Sequence, residues 1–280
     1  MYNQFLKKAS MQKEYINSIV LIPPSEGKTD GGSFPGLDIQ TMGLPSLSKK
    51  RRDLIEVLQS TMKSSQNLNK ILGVKGVALE KAINNNLAIY DAPTMPAIKR
   101  YSGVMFDSID YAGFEETERQ KFDDNVFILS GLFGIINPHE NIPNYKLKMG
   151  AVLPGLSSCA YEWKPYITEI IAETAKNSII WDFLPNEHSS AWDERKVKYL
   201  KRYTIKFVQN KEGKLKTISH WSKSLRGAFI QYLFSNNLLQ NTSQINDIMS
   251  GFSHPSDYIY QPTMTSNIGN TSNFVFLKRG

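Results

Sequence analysis

Short apolar runs cut off by proline or glycine alternate along this chain with longer stretches of helical period. From Ser18 the run Ile19-Val20-Leu21-Ile22 halts at Pro23-Pro24. A continuous, β-branched run of that length predicts a strand buried on both faces and ending at a loop. Val126 to Leu129 has the same character, with Ser130-Gly131-Leu132-Phe133-Gly134 turning sharply off it, and so has Ile179 to Phe183, which carries Asp182. Helical spacing begins at Ser48, with Leu54, Ile55, Val57 and Leu58 on one face, and returns over 160–175, where Tyr166, Ile167, Ile170 and Ile171 are spaced for burial. Residues 67–86 predict two short helices around Leu72-Gly73-Val74-Lys75-Gly76, and Lys223 to Leu239 predicts another. Tyr203–Gln209 and Leu215–His220 alternate across the turn Asn210–Gly213 and predict a β-hairpin. Phe274–Leu277 predicts a last short strand.

Strands interleaved with helices indicate a mixed α/β (α+β) fold. The expected organisation is one domain over 18–250, preceded by an N-terminal extension over 1–17. An irregular C-terminal tail over 251–280 follows, closed by the short final strand. No apolar run approaches the roughly 20 residues of a membrane span. The first residues, through Tyr15, alternate polar with apolar and lack a signal-peptide core. Cys159 is the only cysteine among 280 residues, so an internal disulfide and a cysteine zinc site are excluded. A cytoplasmic location without a membrane partner is expected. His139, His188, His220 and His254 have no metal-ligand spacing, so neither metal nor cofactor is expected.

The net charge of +7 sharpens this picture only when located. Between Glu194 and Arg226 eleven basic residues face two acidic ones, whereas Met105 to Asp124 is acidic. Such asymmetry fits a polyanionic partner, and on charge alone it fits a well-solvated surface equally. Lys49 to Arg52, at the start of a helix where cations oppose the dipole, are expected to be a solvated cluster.

Candidate chemistry sits at the turns. Ser25, Glu26 and Lys28 follow the first strand, where α/β proteins place ligand sites. Ile22 stands where a phosphate-binding P-loop needs its first glycine. Lys28 beside Glu26 can serve as a base, a nucleophile or a phosphate clamp, and a surface turn is the plain alternative. Leu72 to Ile83 is similar to a helix–hairpin–helix, in which a glycine turn and a helix start offer backbone N–H groups to a DNA phosphate. Gly73, Lys75, Gly76 and Lys81 would then hold DNA, although Lys75 stands where the second glycine is usual, and a plain packing unit accounts for the pattern as well. Tyr101, Tyr145, Lys146, Lys148, Lys223 and Arg226 lie at further glycine- and proline-rich turns or helix starts.

Five ordered segments, Leu21-Ile22-Pro23-Pro24-Ser25-Glu26-Gly27-Lys28, Tyr101-Ser102-Gly103-Val104, Leu129 to Gly134, Ile142 to Gly150 and Ser219-His220-Trp221-Ser222-Lys223-x-x-Arg226-Gly227, resemble the YaaA family of peroxide stress proteins. The Pro-Pro-Ser-Glu form is similar to the branch common in Gram-positive bacteria. The resemblance implies a cytoplasmic bacterial protein with a family-specific single-domain α/β fold, a helix–hairpin–helix element and a basic cleft. It also implies duplex DNA binding with little sequence preference and a role in limiting oxidative damage. It transfers no established reaction. Two functions are therefore carried forward. The first is DNA binding through Gly73, Lys75, Gly76, Lys81, Lys146, Lys148, Lys223 and Arg226. The second is an enzyme acting on a nucleobase, nucleotide or damaged DNA, with Lys28, Tyr101, Tyr145, Lys223 and Arg226 in one pocket and Ser25, Glu26 and Asp182 as weaker candidates.

Overall fold

A computed structural model describes residues 17–217, 219–240 and 243–279. The three apolar runs form the middle of one sheet. Strands β1 (Ser18–Ile22), β2 (Val126–Ser130), β3 (Gly134–Ile136), β4 (Ile179–Asp182), β5 (Lys201–Lys211), β6 (Tyr258–Tyr260) and β7 (Thr271–Lys278) lie in the order β6-β7-β5-β4-β1-β2-β3. β2, β1, β4, β5 and β7 are mutually parallel, and β3 and β6 are antiparallel edges. Every residue of β1, β2 and β4 is buried, as parallel strands covered on both faces require. Short strands Lys214–Lys216 and Ser266–Ile268 extend β5 and β7.

Helices α1 (Ser48–Ser64), α2 (Leu68–Leu72), α3 (Val77–Leu87), α4 (Val104–Ile109) and α5 (Glu116–Asn125) lie on the crossover from β1 to β2. Helix α6 (Cys159–Thr174) precedes β4, while α7 (Ser219–Ser235) and α8 (Ile245–Gly251) follow β5. Phe229 of α7 anchors the aromatic core, 4.8 Å from Phe252 and 5.8 Å from Phe276 between ring centres. Gly227 lets α7 press against α4: a Cβ there would stand 2.2 Å from the Met105 carbonyl oxygen.

Four expectations change. The Lys49–Arg52 group is solvated only at Lys49 and Arg52, which are exposed. Arg51 is fully buried and donates to the carbonyls of Gly43 (2.7 Å), Ile135 (3.0 Å) and Phe133 (3.1 Å), and Lys50 pairs with Glu162 at 2.7 Å. Tyr166 is 36% exposed beside buried Ile167, Ile170 and Ile171. The second hairpin strand stops at Lys216, because α7 begins at Ser219. The segment after Gly251 is not an irregular tail: β6 and β7 lie in it, and β7 pairs with β5 over seven positions. The expected N-terminal extension falls on residues 1–16, outside the described ones, and on Asn17.

Arg51 fastens α1 to the β2–β3 turn. Arg51→Met leaves three carbonyls without their donor, each worth about 1–3 kcal/mol when buried. Urea denaturation should show a loss of at least about 3 kcal/mol.

Candidate functional site

The crossover leaving β1 runs to β2, on one side, and the chain leaving β4 runs to β5, on the other. Between their carboxyl ends the sheet has a switch point, where α/β folds leave a crevice open. Pro23 and Pro24 continue from β1, and Pro185, Glu187 and His188 continue from β4. All five line one cavity of about 580 Å³, closed by Gly103–Phe106 and by Ser222, Lys223 and Arg226 of α7. A slot of about 60 Å³ shares Pro24, Ser25, Glu26, Glu187 and His188 with it and adds Lys28 and Tyr145. A further cavity of about 760 Å³ shares Pro185, Glu187, Thr217 and Arg226 and extends past Asp182 and Arg202. Lys28, Tyr145, Lys223 and Arg226 thus meet around one composite crevice. A separate hollow of about 670 Å³ outside α6, lined by Lys50, Glu162 and Tyr166, holds none of them.

The Ser25–Lys28 turn is pinned by pairing Gly27 with Ser102 and Lys28 with Tyr101. Gly27 fits closely there, since a Cβ would lie 3.1 Å from the Ser102 hydroxyl and 3.2 Å from its carbonyl oxygen and would press Ser102 back by a few tenths of an ångström. The Ser25 hydroxyl donates to that carbonyl. Lys28 Nζ donates to the Ser25 carbonyl at 3.1 Å and sits 4.3 Å from the Tyr145 ring centre and 5.2 Å from that of Tyr101. The residue is half exposed along its length, but its amino end is deep. Burial, with Lys146 and Arg100 nearby and Glu26 opposing, lowers its pKa to about 7. A lysine so held is in large part a free amine at neutral pH.

Beneath it runs a chain of hydroxyls. Ser130 Oγ accepts the backbone N–H of Leu132 (3.2 Å) and Phe133 (3.0 Å). Its own hydrogen is thereby directed to the Tyr145 hydroxyl, 2.8 Å away, which is also 2.8 Å from the Tyr101 hydroxyl. Burial pushes Tyr145 up to about 12 and Tyr101 well above its ordinary value, so both phenols stay protonated and brace the amine. Arg100, fully buried, donates to the carbonyls of Gly31 (2.7 Å), Pro93 (2.9 Å), Ile142 (3.1 Å) and Thr29 and holds the surrounding loops together.

The remaining candidates divide by their partners. Glu26 pairs with Lys146 at 2.8 Å and with Lys148 at 3.1 Å, and Lys81 pairs with Asp30 at 2.6 Å. Asp182 is buried against Arg202 at 2.5 Å, with Arg202 also reaching Glu194 at 2.6 Å. This is a structural ion pair at the cavity wall. Lys75, Lys223 and Arg226 make no ion pair or hydrogen bond among the described residues. Gly73, left-handed, and Gly76 join α2 to α3 at positive φ, 68° and 55°, and a Cβ on Gly73 would touch Lys148 Nζ at 3.0 Å. The α2–α3 turn therefore stands at the rim of the crevice.

Sequence reasoning left Arg100, Ser130 and His188 out of the site. Ser130 stood inside a singled-out turn, which was a usable signal. His188 lines both the slot and the larger cavity. Its Nδ1 is buried without a hydrogen-bond partner, and burial lowers its pKa to about 4, with Glu187 opposing and Arg226 adding to the depression. It is a neutral imidazole at physiological pH. Cys159 is buried, and burial pushes its thiol up to about 12, which leaves little thiolate for oxidation.

Together these features define an α/β protein with a crevice at the switch point of its sheet. The chain belongs to the peroxide stress protein YaaA family, whose description fits residues 19–261. It is 32% identical over 238 residues to a UPF0246 protein of Corynebacterium glutamicum, covering 83% of this chain and 90% of the relative. It is 25% identical over 218 residues to a UPF0246 protein of Streptomyces coelicolor, covering 78% and 83%. An uncharacterized protein of Campylobacter jejuni is 25% identical over 233 residues, covering 82% and 90%. Among the described residues no helix is long and apolar enough to cross a membrane, and no group of acidic, histidine or cysteine side chains could hold a metal.

Two predictions follow from burial. With a folded pKa of about 7 against about 10.4 unfolded, Lys28 gives the unfolded chain the greater proton uptake between those values. Its cost to stability is full below pH 7 and disappears above about 10.4. Lys28→Met should therefore raise the melting temperature at pH 6.5, and the gain should shrink steadily towards pH 10; a lower melting temperature at pH 6.5 contradicts the assignment. An aromatic disulfide reagent should label Cys159 at least about tenfold faster in urea than in the native protein, and peroxide should leave the native thiol intact.

Proposed function

We propose that this protein binds duplex DNA with little sequence preference, in the bacterial cytoplasm, as part of the response to peroxide. One observation carries the reading: Lys223 and Arg226 face the crevice without a carboxylate partner among the described residues, alongside Lys28 and the hydroxyl chain. Burial lowers the Arg226 pKa, with Asp182 opposing, so an incoming phosphate relieves a charge that the fold has desolvated. The family's description supports the peroxide connection. At the α2–α3 turn, Lys75 and Gly76 can offer an ammonium and an N–H to a phosphate, whereas the Gly73 N–H is already given to the Asn69 carbonyl at 3.0 Å. Lys81, Lys146 and Lys148 would first have to leave Asp30 and Glu26, so their share of the affinity is small.

Fluorescence anisotropy on an unmodified duplex tests this. Affinity should fall steeply with salt, and Lys223→Gln with Arg226→Gln should flatten the log–log slope by about 0.9 per lost phosphate contact. Wild-type binding and slope in the double variant would remove the crevice from the DNA interface.

A second reading rests on the free amine of Lys28. An enzyme acting on damaged DNA, a nucleotide or a nucleobase needs a nucleophile or base inside such a crevice. Toward an abasic deoxyribose, the Lys28 nitrogen would add to the open-chain aldehyde carbon and expel its oxygen as water, leaving an imine. Borohydride should then trap the protein covalently on abasic-site DNA, with the adduct mapped to Lys28 by mass spectrometry. No adduct with the wild type, or an equal yield from Lys28→Ala, would rule this chemistry out.

A further inference from the structure

Most of the unneutralised positive charge stands away from the α2–α3 turn. β5 leaves its parallel neighbour β7 at Val208 and continues to Lys211 paired only with Lys214–Lys216. It therefore ends in a two-stranded arm. Glu212 and Gly213 form its tip with φ of 53° and 77°, the two left-handed residues of a tight hairpin turn. The register sets Lys214 opposite Lys211 and Lys216 opposite Gln209. Side chains alternate along a strand, so Lys211, Lys214 and Lys216 share one face with Gln209. All three lysines are exposed, and none makes an ion pair among the described residues.

Like charges directly opposite across a ladder are destabilising, so this arrangement lowers the arm's own stability. The arm also leads somewhere: the residue after Lys216 is Thr217, which lines both large cavities beside Arg226. We propose that the lysine face of this arm is the main phosphate-holding surface of the protein, laying the DNA backbone along Lys211, Lys214 and Lys216 and into the crevice at Thr217 and Arg226. The assignment rests on the DNA-binding reading above and moves its centre from the α2–α3 turn to the arm. DNA fits better than an anionic membrane. The single apolar side chain of the short strand, Leu215, projects from the opposite face, which leaves the lysine face nothing to insert into lipid, and the arm opens into a crevice rather than a flat surface.

The test compares full-length wild type, the triple variant K211Q/K214Q/K216Q and the pair K75Q/K81Q, by anisotropy on one duplex over a salt series, with anionic vesicles as a second arm. The triple variant should weaken binding by roughly tenfold or more at moderate salt and flatten the slope by up to about 2.7, at about 0.9 per contact. The K75Q/K81Q pair should change the slope by less than about one contact. Removing the like-charge pair should leave the melting temperature equal or higher, so lost affinity cannot come from misfolding. A wild-type slope in the triple variant overturns the arm while leaving DNA binding standing. So does a larger loss in K75Q/K81Q, or vesicle binding abolished by the triple change with duplex binding untouched. Failure of the wild type to bind duplex overturns the DNA reading itself, and the arm with it.

Discussion

Two chain segments leave the carboxyl ends of β1 and β4 in opposite directions, and no connection can cover the gap between them. The rest of the site depends on that constraint. It opens a crevice above the most deeply buried part of the sheet, so a side chain placed there is surrounded by protein yet reachable from outside. Lys28 occupies this position. Its amine is desolvated by the same strand ends that expose it, and its pKa falls to about 7 because burial penalises the ammonium more than Glu26 stabilises it.

Buried guanidiniums make such a loop-built crevice rigid. Arg51 and Arg100 act as multi-point hydrogen-bond donors to backbone carbonyls of loops and of strand edges. Loops cannot be buried with unpaired carbonyls, and one planar guanidinium can satisfy three or four of them at once. Asp182 and Arg202 do comparable work at the far wall, where the ion pair fixes the start of the chain leaving β4. The cations proposed to hold phosphate are distinguished from these by what they lack: Lys223, Arg226 and the three arm lysines have no protein acceptor among the described residues.

Much of this was legible in the sequence. β1, β2 and β4 are apolar runs too short for helices, and each run is bounded by turns, so their burial could be read directly. The segments holding Lys28, Tyr101, Tyr145, Lys223 and Arg226 stood out by their glycines and prolines, and they do surround one crevice. Other features were hidden for physical reasons. Thr271-Ser272-Asn273 opens β7 with polar residues that look like loop, and only pairing with β5, some seventy residues earlier, makes them strand. Nothing in Arg51 or Arg100 marks them as buried, because the carbonyls that receive them come from distant loops. His188 gains its neutral, unpaired ring from packing alone. The basic stretch was visible as a count of charges, but the face shared by Lys211, Lys214 and Lys216 needed the hairpin register, and the sequence runs the second strand from Leu215 on to His220 where the structure pairs Lys214–Lys216.

The most direct measurement is a pH titration of the Lys28 side chain by NMR, following its Cε and Nζ resonances in otherwise unlabelled protein. A midpoint near 7, rising when Glu26 is retained and Lys146 is changed to Gln, is the result expected of an amine desolvated at the switch point. A midpoint near 10.4, the value of a solvated lysine, would contradict it and leave the crevice without a reactive group.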